Sequence, residues 1–369
     1  MKRVLSFSLV IVLVMVTLVG AAMMRQSSRV TATGPNPDEQ VVSSADSPTA
    51  MAQSSEDVAN YWTTERMKKA KPYDVGSRSG EPKLTKDASG PQGPAGGVEP
   101  INGSLPTGKL GDDGGSYVAP DDANLASYSY PYPYSRLNIF TPYTHQKYRT
   151  SGKVFFKQGG SDYVCSGTLV NSANRSLVIT AGHCVHGGGA GKVYHSNWTF
   201  VPAYNNGSRP HGTWAAQALF TLNGWANSGD FTYDIGAAVL APRAGDGVKA
   251  VNLLGSRGMW WNKTRMQHFW SLGYLSAAPF TGQTLILCTA SHGADDNAGA
   301  GPDSIGIGCD MTPGSSGGGW VVNIGHSGGG FVNGINSYKY SATQPLSMYS
   351  PYFGDGARDI YNVAGSWTP

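Results

Sequence analysis

TPGSSGGG, Thr312 to Gly319, decides how this chain is read, together with ITAGHC at Ile179 to Cys184. Small residues around a serine let the backbone turn sharply and present the hydroxyl, which makes Ser316 the candidate nucleophile. In such a turn the N–H groups of Gly314 and Ser316 aim at one point, where the oxyanion of a tetrahedral intermediate would form. With 50 Gly in 369 residues, a Gly-Ser run alone is equally compatible with an ordinary turn. The histidine-cysteine pair upstream gives the stretch its weight.

Working outward, short β-type runs surround both motifs: GKVFFKQ (Gly152 to Gln158), YVCSGTLV (Tyr163 to Val170), SLVITA (Ser176 to Ala181), NWTFVPAY (Asn197 to Tyr204), IGAAVLA (Ile235 to Ala241) and QTLILCTA (Gln283 to Ala290). Turn residues separate them and no long helical pattern intervenes, which favours a sandwich or barrel over alternating β and α units. The chain after Ile139 is long enough for two small packed barrels. All four cysteines fall in this part, which fits an oxidising compartment and two disulfides, with three connectivities open. Cys165 with Cys184 would bracket two adjacent strands and fix the turn that carries His183. Cys288 with Cys309 would brace the approach to Ser316. Each bridge is expected to contribute about 3 kcal/mol by restricting the unfolded chain. No CxxC pair or His-Cys cluster has zinc spacing, so neither a metal nor a cofactor is expected.

Composition agrees with an exported, turn-rich all-β protein: 40% hydrophobic residues, 14% charged, and abundant Gly, Tyr and Trp. A formal net charge of +3 is too small to indicate nucleic acid or an anionic membrane as partner. At the N-terminus, Lys2 and Arg3 precede an apolar run from Val4 to Val19 and the small residues Gly20, Ala21 and Ala22. That is the pattern of a secretory signal peptide over 1–22. An uncleaved membrane anchor is the alternative, and either places the bulk of the chain outside the cytoplasm. Residues 23–135 lack strand alternation and are rich in Pro, Gly, Ser, Asp and Gln, as in SGPQGPAGG (Ser89 to Gly97). They read as a largely disordered propeptide with one short helix within Ser55 to Lys71, a plain linker being the alternative. A mature start between Asp122 and Thr150 is expected.

ITAGHC resembles the histidine motif of trypsin-like serine peptidases, YDIGAAVL (Tyr233 to Leu240) their aspartate strand, and PGSSGG their serine motif, in that family's order. The resemblance covers about residues 140 to 369 and is nearest in style to the bacterial secreted members, including the glutamyl endopeptidases. It implies a chymotrypsin-like fold over 136–369, two packed six-stranded antiparallel β-barrels with the cleft between them. It also implies a secreted, extracellular, monomeric endopeptidase acting on protein or peptide substrates. By the same resemblance His183 is the general base, Asp234 its orienting partner and Ser316 the nucleophile. Asp230 is the rival aspartate. Where trypsins carry an Asp just before the nucleophile, this chain has Ser315, so the buried ion pair with a new N-terminus cannot form there. A catalytically silent binding module remains the alternative of another class.

Specificity draws opposing expectations. Asp310 stands at the spacing of the aspartate that binds Arg or Lys in trypsins. Lys339, on GINSYK (Gly334 to Lys339), stands near the pocket mouth and would repel a cation and attract a carboxylate. Asn336, Ser337 and Tyr338 complete the expected substrate-binding strand, with Asn336 where glutamyl endopeptidases set a His; His326 has no assigned place. All five Glu (Glu39, Glu56, Glu65, Glu81, Glu99) precede the expected catalytic domain, so cleavage after Glu would spare that domain. Basic or broad preference is the alternative.

Overall fold

The structure, a computed structural model, describes residues 36–46, 54–86, 88, 90–105, 129–139, 143, 145–243, 245–324 and 329–369. The expected signal segment 1–22, residues 106–128 and His326 lie outside these residues. The fold is all-β. Strands β1 (Ser151–Gln158), β2 (Ser161–Val170), β3 (Leu177–Ala181), β4 (Ser196–Pro202), β5 (Trp214–Leu222) and β6 (Ile235–Leu240) pair in the order β5-β4-β1-β2-β3-β6, and β6 pairs β5 to close an antiparallel barrel. Gly159 and Gly160 join β1 to β2 at φ 54° and 84°, the left-handed backbone that a two-residue hairpin needs to match strand twist. Val154, Phe155, Leu169, Ile179, Phe200 and Leu219 are fully buried in its core.

A second, barrel-like sheet holds β7 (His268–Gly273), β8 (Ile286–Asp296), β9 (Ser304–Gly308), β10 (Gly319–Val322), β11 (Phe331–Ile335) and β12 (Ser347–Ser350), paired in the order β12-β9-β8-β7-β10-β11. Here closure is a short bridge, in which Tyr338 and Tyr349 exchange backbone hydrogen bonds of 3.3 and 2.9 Å. Phe269, Ile305, Ile307 and Trp320 form a separate core. The disulfides are Cys165–Cys184 and Cys288–Cys309, one in each half. The C-terminal helix Asp355–Ser366 covers β5 and β6 with Ala357, Ile360 and Ala364, which share one face at helical spacing.

Residues 36–105 differ from the expected disordered stretch, because their described parts are laid over both barrels. Short strands add to five places: Val41–Ser43 to β5, Lys71–Pro72 to β2, Ser77–Arg78 to Lys339–Tyr340, Leu84–Thr85 to β8, and Gly96–Val98 to the strand Gly258–Trp261. The expected helix is two, Ser55–Tyr61 and Thr64–Lys69, the first started by a capping box between Ser54 and Asp57. Trp62, between them, is fully buried and donates from its indole to Asn197 O at 2.7 Å. Polar composition hid this order because edge pairing is made by backbone groups, and a few apolar anchors, Val58, Trp62, Met67 and Tyr73, suffice when a preformed surface receives them.

Candidate active site

Strand β3 runs into the turn Gly182–Cys184, and Cys184 is tied back to Cys165 on β2, so His183 sits fully buried at a braced corner. Asp234 precedes β6, whose Ile235 pairs with Ala181 of β3, and this register sets the aspartate beside the histidine. Asp234 Oδ1 accepts the His183 backbone N–H at 2.7 Å, and Oδ2 lies 2.8 Å from His183 Nδ1. A carboxylate can only accept, so Nδ1 carries a proton, and in the neutral ring Nε2 is the nitrogen with the lone pair. Nε2 is buried and has no hydrogen-bond partner among the described residues. Ser337 Oγ donates to Asp234 Oδ2 at 2.5 Å, a third restraint on the carboxylate. Asp230 is occupied elsewhere: it caps its own turn through Thr232 and accepts from the Ala300 N–H.

The serine loop lies against the first barrel. Gly314 and Gly317 have φ 98° and 77°, and a Cβ on Gly317 would stand 2.0 Å from Thr180 Oγ1, beside the start of the histidine turn. Ser166 on β2 holds the loop twice, donating its N–H to Ser316 O at 2.7 Å and its hydroxyl to Gly314 O at 3.0 Å. The N–H groups of Ser315, Gly317 and Gly318 are used within the loop and by Asn336, whereas those of Gly314 and Ser316 donate to no described backbone acceptor. Oxyanion stabilisation requires N–H donors left free in this way beside the hydroxyl.

Thr312, Pro313, Ser315, Ser316, Ser337 and Lys339 line one cleft. Lys339 is buried, donates from Nζ to Met311 O at 2.7 Å, and has its pKa pushed down to about 8, chiefly by loss of water and opposed by Asp310 and Asp74. Asp310 is not among the cleft-lining residues; its carboxylate pairs with Arg136, from the strand Ser135–Asn138. Asn336 is likewise behind the cleft, fully buried, accepting from Ser271 and Trp320 and donating to Met311 Sδ and Ser315 O. Tyr338 turns its hydroxyl away to Asp296 at 2.9 Å. Of the expected substrate-binding strand, Ser337, Tyr338 and Lys339 line the cleft.

The family model for the lysyl endopeptidase C-terminal domain matches residues 139–232. An extracellular metalloprotease of Bacillus subtilis (strain 168) is 39% identical over 88 residues, which span 24% of this chain and 26% of that protein. Among solved structures, the protease Anisep of Arthrobacter nicotinovorans is 40% identical, with TM-score 0.54, over 59% of this chain and 96% of that one. The thermostable serine protease AL20 of an extremophilic microorganism is 41% identical, with TM-score 0.55, over 60% of this chain and the whole of that one. The chain belongs to the chymotrypsin-fold serine proteases.

Among the described residues, the ligand atoms of Cys165, His183 and Cys184 lie within 4.8 Å of one another, but both sulfurs are in a disulfide and offer no thiolate. Two neighbours of the site escaped sequence reading. His195 Nε2 donates to His183 O at 2.9 Å, its ring stacks on Phe156 at 4.3 Å, and burial holds its pKa down to about 3, so it stays neutral and serves as packing under the histidine turn. Tyr73 of the N-terminal segment lies over the protease's histidine, ring centroids 6.1 Å apart, and the following Asp74, Gly76 and Ser77 line the cleft with Ser316. Lys339 N–H donates to Gly76 O at 2.8 Å, and a Cβ on Gly76 would come within 2.3 Å of Ser337 O, so only glycine passes there. No spacing rule signals such a crossing.

Proposed function

We propose that the protease is a secreted serine endopeptidase in which Ser316 attacks the peptide carbonyl, His183 takes its proton and returns it to the leaving amine, and Asp234 stabilises the imidazolium. The observation that carries this reading is the doubly bonded Asp234–His183 pair, with a free Nε2, beside a loop whose Gly314 and Ser316 N–H groups are unused. Secretion is supported by the signal-like N-terminus and by the relative named extracellular. Residues 23–135 act as a propeptide that keeps the enzyme latent, a role supported by Asp74, Gly76 and Ser77 lining the cleft with Ser316 and by Tyr73 lying over His183 in the uncut chain. Pocket chemistry favours an acidic side chain before the scissile bond: Lys339 supplies the cation, and Arg136 neutralises Asp310. The matched stretch 139–232 of the lysyl endopeptidase model ends before Asp310 and Lys339, so that name bears no weight on the pocket.

A fluorophosphonate reacts with an activated serine and with no ordinary hydroxyl. It is expected to label Ser316 slowly in the uncut chain and quickly after the N-terminal segment is removed; absence of labelling in both would leave a silent binding module. Mass spectrometry of a digested proteome then reads the preference, and cleavage concentrated after Lys and Arg would refute the acidic one.

A further inference from the structure

Successive side chains of an extended strand point to opposite faces, so Tyr338 and Tyr340 face away from Lys339. On that second face they meet Phe231, from the turn before Asp234, and the three rings surround Arg78 of the N-terminal segment. Its guanidinium carbon lies 5.2 Å from the Phe231 centroid, 5.0 Å from Tyr338 and 5.5 Å from Tyr340. Tyr338 and Tyr340 meet edge to face, and both hydroxyls donate to Asp296 Oδ2, at 2.9 and 2.8 Å. Asp296 is fully buried and, among the described residues, belongs to no ion pair. Electron-rich ring faces in front and a carboxylate behind make a cage suited to a cation. Arg78 has few fitted acceptors there: Nη2 donates to Ala298 O at 3.2 Å and Nη1 is buried without a partner, so rings and charge hold it.

We propose that this cage is a substrate subsite for a basic side chain, Arg or Lys, at a position away from the scissile bond, and that Arg78 fills it while the N-terminal segment is in place. The inference rests on the endopeptidase reading above. Tyr338 and Lys339 both border the cleft that holds Ser316, so one bound peptide meets both faces of the same strand. That strand sorts charge, with an acidic side chain on the Lys339 face and a basic one between the tyrosines. The chain's own segment follows the same pattern, placing Asp74 at the cleft and Arg78 in the cage.

The test uses protease recovered from culture medium, and the same chain carrying Arg78→Ala so that the cage is vacant even where the segment stays bound. Active sites are counted by fluorophosphonate titration. Peptides share one acidic residue at the cleaved bond and carry Arg, its neutral isostere citrulline, or Ala at each other position in turn. At one position Arg is expected to exceed citrulline about tenfold in kcat/KM, mainly through KM. Tyr340→Leu brings that ratio close to one; because the ratio is read within each variant, a partly folded preparation does not alter it. Equal rates for Arg and citrulline at every position, in both chains, overturn the subsite and leave the endopeptidase reading intact. Failure to cleave any peptide, with no labelling of Ser316, overturns both.

Discussion

The two barrels contribute to the site in different ways. The first is closed by continuous backbone pairing, and it holds His183 and Asp234 fully buried, the aspartate bonded to the histidine at two atoms. The second is closed by the Tyr338–Tyr349 bridge, and it presents Ser316 on a glycine loop in the cleft that Lys339 also lines. Proton transfer tolerates little displacement, so its partners belong on a rigid corner. Recognition varies with the side chains of loops, which the second barrel supplies.

If the halves act as one device, breaking either must cost the same. Ser316→Ala from the second barrel and His183→Ala from the first are each expected to lower kcat on the order of a million-fold without unfolding the protein, and the double variant to be no worse. A ten-fold loss for Ser316→Ala would remove the assignment, while Ser315→Ala should be far milder. Asp234→Asn probes the first barrel alone. It keeps the shape but upsets the tautomer and is expected to cost about ten-thousand-fold in kcat, with circular dichroism unchanged.

The third test sets the N-terminal segment against the first barrel. Trp62→Ala empties a fully buried socket against Phe155 and is expected to destabilise the docked segment by about 3–5 kcal/mol. Fluorophosphonate labelling of the uncut variant should then be faster than that of the uncut parent; equal rates would show that the segment does not guard the serine.

The smallest effect belongs to the second barrel and is a matter of pH. Lys339 has its pKa lowered to about 8, so its charge is present below that pH and lost above it. Preference for Glu over Gln at the cleaved bond is therefore expected to be up to about tenfold at pH 6 and to fade as pH rises through about 8. Stability moves the other way: between about pH 8 and pH 10 the unfolded chain holds a proton that the folded chain has released, so this group's burial cost falls as pH rises. Lys339→Met should abolish both trends.

The pairing of His183 with Asp234 was legible because each is set by a local turn and a short register, features written in neighbouring residues. The two disulfides followed from the same local brackets. Asp310 and Asn336 were placed by their offsets from family motifs, and an offset gives position along the chain but not the direction of a side chain. Asp310 is taken by Arg136, which is 174 positions away, and Asn336 is spent on four neighbours in the second core. The strand additions of residues 36–105 were invisible for a different reason: they are made by backbone groups, which every residue type carries.

Those five additions make the N-terminal segment a multivalent ligand of its own enzyme. One cut beyond residue 105 turns it from a tethered ligand into a free one, yet each remaining contact still holds the others at high effective concentration. If the segment is the propeptide proposed above, severing the chain and arming the enzyme are separate events with a delay between them. On the acidic preference proposed above, that delay would end when the segment itself is cut into pieces too short for avidity, since all five Glu of the protein lie within its span, at positions 39 to 99. The first molecules to escape would disarm the guards of the rest, so activity would rise as a wave that depends on enzyme concentration.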